Sequence, residues 1–232
     1  MRVMLKISWE ALQGERTHGI DPKFIHELAL QIKEIKDAGH QIAIVLWGWN
    51  IFRWVAGAAN GIDRTAADYM WMLATIMNWV AMQDALEKVW ITTRLVSALD
   101  IPEIWEKYIK RRAERHLEKW RIVISVAWTG NPYFTTDSAW VLRWLELGCD
   151  MVIKATKVDW VYDKDPMKCS DAKLIKQASF RDVIDKDIKV MDHTAITLAK
   201  EGNLTLKVVN LYKPGAILKA IETNEEWTTI CD

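Results

Sequence analysis

Apolar residues along this chain gather in short runs separated by longer amphipathic stretches. Residues 2–8, 41–46, 92–97, 121–127, 150–155 and 205–210 are rich in Val, Ile, Leu and Ala and predict strands. The runs are continuous rather than alternating, which is the pattern of a parallel sheet covered by helices on both faces. Between the first two runs, Leu28, Ile32 and Ile35 recur at helical spacing. Asp21-Pro22 is suited to open that helix and Gly39 to close it. Asp100 with Glu103 reads as the capped start of a second helix, and Asp192 as the cap of a third that stops at Gly202. The uncharged stretch over residues 69–83 holds Thr75 and Asn78 and is too short to span a bilayer, so it predicts a buried or subunit-contact helix. The expected architecture is α/β, a three-layer α/β/α sandwich with a central, mostly parallel sheet. No repeat or Pro/Gly/Ser linker interrupts it, so residues 1–232 are expected to form one domain, with sub-regions at about 1–150 and 151–232.

Charge narrows the function classes. With 31 basic and 31 acidic residues the formal net charge is zero, so no overall field attracts nucleic acid or an anionic membrane. The basic stretch around Lys110, Arg111, Arg112 and Arg115 is interspersed with glutamates and reads as a solvated face. Cys149, Cys169 and Cys231 are odd in number and form no CxxC pair, which suits a reducing, cytoplasmic setting. No N-terminal signal pattern precedes the first strand. The five histidines lack metal-ligand spacing, and no P-loop, GxGxxG, GxSxG or HExxH motif occurs.

Chemistry gathers at strand ends, where an open parallel sheet binds ligands. Lys6, Ile7, Ser8, Trp9 and Glu10 lie at the end of the first run; Lys6 suits phosphate neutralisation, although the segment alone favours a surface lysine. The second run ends in Trp47-Gly48-Trp49-Asn50, with Arg53 beyond as a bidentate phosphate ligand or an ordinary loop arginine. After the fourth run, residues 128–138 pack hydroxyl and amide groups, three aromatics and Asp137 into a loop that opens a helix. Asp137 there is also suited to a plain helix N-terminus. Residues 154–166 mix Lys and Asp around an aromatic and read equally as a nucleotide clamp or a solvated loop.

Taken in order, Lys6-x-Ser8-x-Glu10, the Gly48/Asn50/Arg53 loop, Asp68-Tyr69-Met70, the TGNPxFTTD stretch over 129–137 and the stretch from Lys154 to Pro166 resemble the bacterial uridylate (UMP) kinases of the amino acid kinase superfamily. Val190-Met191-Asp192 and the stretch over 210–215 agree with it. The resemblance implies an amino acid kinase fold and γ-phosphoryl transfer from ATP to UMP, giving UDP and ADP, with Mg²⁺ held mainly by the nucleotide phosphates. It implies catalytic roles for Lys6, Arg53 and Asp137. It assigns ATP contacts to Lys6, Ile7, Ser8, Trp9, Trp49, Arg53, Thr156, Tyr162 and Asp165. UMP contacts fall to Gly48, Asp68, Thr129, Gly130, Asn131, Pro132, Tyr133, Phe134, Thr135 and Thr136. A GTP-response region is implied at Gly14, Glu15, Arg16, Thr17, His18 and Gly19, with GTP activation, UTP inhibition and a homohexamer. Alternatives are another enzyme of the superfamily, acting on carbamate or an acyl amino acid, and, if the tryptophans at glycine positions are genuine, a non-catalytic uridine-nucleotide sensor or inactive subunit.

Fourteen tryptophans accompany only ten glycines, where ordinary usage would give about 16 glycines. Trp9, Trp47, Trp49, Trp54, Trp71, Trp128 and Trp160 stand where the resembled family carries glycine, and the other seven where a small residue is easily accommodated. An indole meets neither of glycine's uses, positive φ and close backbone approach. The expectation is that these positions are UGA codons that the source decodes as glycine; the alternative is genuine substitution.

Overall fold

The apolar runs become the strands of one large sheet in the structure, a computed structural model that describes residues 1–8, 19–48, 50–51, 61–158, 161–164, 169, 171–223 and 227–232. In chain order the elements are β1 (Arg2–Ile7), α1 (Pro22–Asp37), β2 (Gln41–Leu46), α2 (Arg64–Lys88), β3 (Thr93–Ser97), β4 (Glu106–Lys107), α3 (Lys110–Glu118), β5 (Ile122–Val126) and α4 (Thr136–Leu147). There follow β6 (Met151–Thr156), β7 (Val161–Tyr162), β8 (Leu174–Ile175), β9 (Gln177–Ala178), α5 (Phe180–Asp185), α6 (His193–Glu201), β10 (Leu206–Asn210), α7 (Ala216–Glu222) and β11 (Thr228–Ile230).

The sheet order is β4-β3-β5-β2-β1-β6-β10-β11-β9, and all neighbours are parallel except β10 and β11. β7 and β8 form a separate antiparallel ribbon. β1 lies in the middle, so its alternating side chains feed two cores. Val3, Leu5 and Ile7 pack with α1, α2 and α7, whereas Met4 faces the layer built by α3, α4, α5 and α6. The expected three layers are therefore present.

Caps hold the helix ends where the sequence places them. Asp21 accepts from the Lys23 N–H at the start of α1, Asp192 accepts from the Ala195 N–H at the start of α6, and Gly202 caps the end of α6. The helix expected at Asp100 and Glu103 is absent. Residues 102–104 form a turn, the Asp100 carboxylate pairs with Lys107 Nζ at 3.3 Å, and Glu106–Lys107 pairs with β3, which draws this segment into the sheet edge. The next helix instead starts at Lys110. The uncharged stretch lies inside α2, which buries one face through Trp71, Met72, Thr75, Asn78, Trp79 and Met82. No helix of the described residues is long and apolar enough to cross a membrane.

Candidate active site

Parity places Lys6 on the face of β1 that looks toward α4, and burial follows: Lys6 is only 1% exposed. The surface position favoured from the local segment is thus corrected, because long-range packing supplies the cover. Lys6 Nζ lies 3.4 Å from Asp137 Oδ1 and 4.3 Å from the centre of the Trp47 ring. On the neighbouring strand Lys154 is the register partner of Lys6, and its ammonium donates to the Val190 carbonyl.

Asp137 sits in the first turn of α4, so it is both a helix N-terminal residue and the partner of Lys6. Burial acts to raise its carboxyl. The charges of Lys6 and Lys154, with hydrogen bonds from Trp140 Nε1 at 3.0 Å and from Lys6, outweigh burial and hold it below the ordinary carboxylate value. Thr135 caps the helix by accepting from the Asp137 and Ser138 N–H groups, and it donates its own hydroxyl to Asp192. Ser138 Oγ also lies 3.4 Å from Asp192. The N-termini of α4 and α6 are thereby tied together. The hydroxyl of Thr136 is buried with no hydrogen-bond partner among the described residues.

The loop between β5 and α4 leans on α2. The Tyr133 N–H donates to Asp68 Oδ2 at 2.8 Å, and Arg64 Nε closes on both oxygens of the same carboxylate. Thr129 Oγ1 accepts from the Asn131 N–H in a tight turn, while Asn131, Tyr133 and Phe134 remain exposed. Gly130 has φ of 78°, and a Cβ there would lie 3.1 Å from the Ala98 carbonyl oxygen. Gly48 is fixed by close approach: a Cβ would meet the Thr75 backbone nitrogen at 2.9 Å.

Two buried asparagines brace this region: Asn50, part of the strand-end motif but given no contact by the sequence, and Asn78, read only as a polar residue of the uncharged stretch. Asn50 and Asn78 exchange reciprocal amide bonds at 2.8 and 2.7 Å; Asn78 also donates to the Trp47 carbonyl and Asn50 to that of Gly19. An uncharged stretch carrying Asn78 among apolar residues at helical spacing was the available signal. Three indoles line the same strand ends. Trp47 stacks on Trp71 with centroids 6.0 Å apart, and Trp71 meets Trp128 edge-on at 4.6 Å.

A pocket of about 420 Å³ opens beside this centre, lined by residues that include Lys154, Thr156, Tyr162, Val190 and Val208. Thr156 and Tyr162 therefore fall together, with Lys154 shared between the pocket and the charged centre. Ser8 continues from β1 through its N–H bond to the Ala155 carbonyl at 3.0 Å, while the Ile7 side chain is sealed in the core. Trp9, Trp49, Arg53, Asp165 and Gly14 through His18 lie outside the described residues. Among the described residues no three His, Cys, Asp or Glu side chains gather into a ligand set for a metal ion.

The comparisons with known proteins agree over the full length. A protein from Wolinella succinogenes named "Uridylate kinase" is 53% identical over 222 residues, covering 95% of this chain and 92% of the relative. One of the same name from Paramagnetospirillum magneticum is 46% identical over 231 residues, covering 100% and 96%. The crystal structure of UMP kinase from Ureaplasma parvum superposes with a TM-score of 0.94 at 34% identity, covering 100% of this chain and 99% of that one. Residues 1–210 match the family model described as the amino acid kinase family, and with the sheet order and strand-end site above, the chain belongs to that family.

Proposed function

We propose that this chain transfers the γ-phosphoryl group of ATP to UMP. A phosphate oxygen of UMP attacks the γ-phosphorus, the bond from that phosphorus to the β,γ-bridging oxygen breaks, and UDP and ADP leave. The observation that carries the reading is the buried Lys6–Asp137 pair at the end of the central strand, beside the pocket at Thr156 and Tyr162. Relatives named for the uridylate reaction at 46% and 53% identity support the choice of acceptor.

The chemistry asks for positioning and charge neutralisation rather than a covalent intermediate. Lys6 meets the charge of the transferring phosphoryl group, and Asp137 keeps the ammonium aimed. Asp68 anchors the loop over residues 129–136, which holds the uridine nucleotide, and the buried Thr136 hydroxyl at its end has no hydrogen-bond partner among the described residues. Gly48 gives its backbone to the same nucleotide. Thr156, Tyr162 and the backbone at Ile7 and Ser8 serve ATP, together with Trp9, Trp49, Arg53 and Asp165. On this reading residues 1–150 hold UMP and residues 151–232 hold ATP within one domain.

Mg²⁺ would be held mainly by the nucleotide phosphates, with the ionised Asp137 carboxylate, engaged by Lys6 and Trp140, orienting Lys6 or the metal-bound nucleotide. When bound, the ion neutralises phosphate charge. The enzyme works in the cytoplasm as a homohexamer, activated by GTP through residues 14–19 and inhibited by UTP. The exposed apolar stripe of Met70, Leu73, Met77 and Val80 along α2 suits contact with a second copy.

The test is a coupled assay of ADP formation with UMP, other nucleoside monophosphates, carbamate and acyl amino acids as acceptors. UMP is expected to be the preferred acceptor. Preference for another acceptor, or UMP binding with no turnover, overturns the assignment.

A further inference from the structure

Glycine, asparagine and aspartate are the residues that take left-handed backbone at ordinary cost, and a bulky side chain there is a genuine outlier. Several helices of this chain end in the same closure, in which a left-handed residue bonds back to the last turn and the next N–H reaches one residue further. Gly148 (φ 59°) does this after α4, with N–H bonds from Gly148 to Leu145 and from Cys149 to Trp144. Asn203 (φ 54°) does it after α6 and Asp187 (φ 49°) after α5.

After α2 and α3 the same position is tryptophan. Trp90 (φ 66°) donates to Glu87 and Ile91 to Leu86, each at 3.0 Å; Trp120 (φ 57°) donates to Leu117 at 2.9 Å and Arg121 to His116 at 3.0 Å. Burial repays almost nothing at Trp90, which is 93% exposed, and only part of the strain at Trp120, which is 51% exposed. The backbone at both sites is that of a glycine terminator, and at Trp90 the side chain adds little but an indole in water.

Trp128 shows the same conflict inside the protein. Its φ is 51°, its ring is buried at the end of β5, and its indole N–H has no acceptor among the described residues. Buried indole N–H groups ordinarily find a partner. Those of Trp79, Trp144 and Trp227 also have none among the described residues. A shortage of glycine alongside an excess of one residue type points to a single cause rather than many separate substitutions.

We propose that the polypeptide made in the source cell carries glycine at the fourteen tryptophan positions, encoded by UGA codons that the cell reads as glycine. The left-handed closures after α2 and α3 then become glycine closures like that of Gly148. At the site, loss of the rings of Trp47, Trp71 and Trp128 opens space at the ends of β2 and β5 beside Lys6 and bares backbone N–H groups to a phosphate. Lys6 and Asp137 keep each other as partners when the rings of Trp47 and Trp140 are gone. The inference does not rest on the proposed activity.

The deciding experiment is peptide mass mapping of the protein isolated from its source cell, with the codons at the same positions sequenced. Peptides spanning residues 90, 120 and 128 are expected at glycine mass, from UGA codons. Tryptophan mass in any of the three, or UGG codons, overturns the proposal. Recombinant chains test the physical ground separately: Trp90→Gly and Trp120→Gly should each raise Tm by about 2–8 °C. An unchanged or lower Tm in both removes that ground. Neither readout uses turnover, so failure here is distinguishable from failure of the kinase reading.

Discussion

Replacing Asp137 by Asn tests whether charge, rather than shape, holds the centre together. The amide is nearly isosteric and keeps an oxygen for Trp140 Nε1, so the change removes little except the negative charge facing Lys6. At 3.4 Å and an effective dielectric constant of about 20, the attraction lost is roughly 5 kcal/mol before solvation is counted. Leaving one member of a buried pair without its partner costs about 3–5 kcal/mol in practice, a large part of a typical stability of about 5–15 kcal/mol. Urea unfolding at neutral pH should show a midpoint lower by about 1 M or more. The pH dependence carries the sign. Because the folded carboxyl is held below its ordinary value, the stabilisation is complete above about pH 4 and is lost as pH falls through the lower folded value. The gap between wild type and Asp137→Asn should therefore stay constant across neutral pH and close only in strong acid. A gap under about 1 kcal/mol at neutral pH, or one that does not narrow in acid, refutes the electrostatic account.

Three further substitutions or treatments probe the surrounding frame. Gly48→Ala drives a Cβ to 2.9 Å from the Thr75 nitrogen and 3.0 Å from its Cγ2, so urea unfolding should show a loss of about 1–3 kcal/mol; a neutral outcome would mean that β2 and α2 can separate at no cost. Asp68→Ala removes the acceptor for Tyr133 N–H, a bond to a charged group worth about 1.5–3 kcal/mol, so KM for UMP should rise about tenfold or more while KM for ATP stays nearly constant. Burial pushes the Cys149 thiol up to about 12, so a thiol reagent at mildly alkaline pH should modify partly exposed Cys169 and Cys231 and reach Cys149 only after unfolding.

The six long strands were legible because fully buried strands are written as apolar runs, and the observed ends differ from the runs by a residue or so. The two- and three-residue strands β4, β7, β8, β9 and β11 carry no such run; their pairing is imposed by neighbours already in place. Asp100 and Glu103 mimic a cap locally, but pairing of Glu106–Lys107 with β3 wins over a helix there. Lys6 is the sharper lesson. Nothing near it in sequence announces burial, because its cover and its counter-charge arrive from α4, far along the chain. The bond between Thr135 and Asp192 was hidden for the same reason: Asp192 reads locally as a helix cap and Thr135 as part of a loop, and only the packing of α4 against α6 makes them partners.

The electrostatics of the site are local, and that has a measurable consequence. The chain as a whole is neutral, yet Lys6 and Lys154 stand side by side in register on β1 and β6, and the Asp137 carboxylate feels the charge of both. The two lysines against Asp137 make a local positive centre, to which the N-terminal end of α4 adds its partial positive charge and which Asp192, bonded to Thr135 and Ser138 at that helix end, partly offsets. A field built this way acts on a polyphosphate at contact distance but does not reach far into solvent, where the balanced surface cancels it. Screening by salt over a Debye length of about 8–10 Å weakens long-range steering far more than buried contacts. Raising ionic strength from about 0.05 to 0.2 M at constant free Mg²⁺ should therefore change kcat/KM for UMP by less than about threefold, far less than a steered encounter between opposite charges would show. A steep fall would mean that capture depends on a wider basic surface than the pair of lysines on these two central strands.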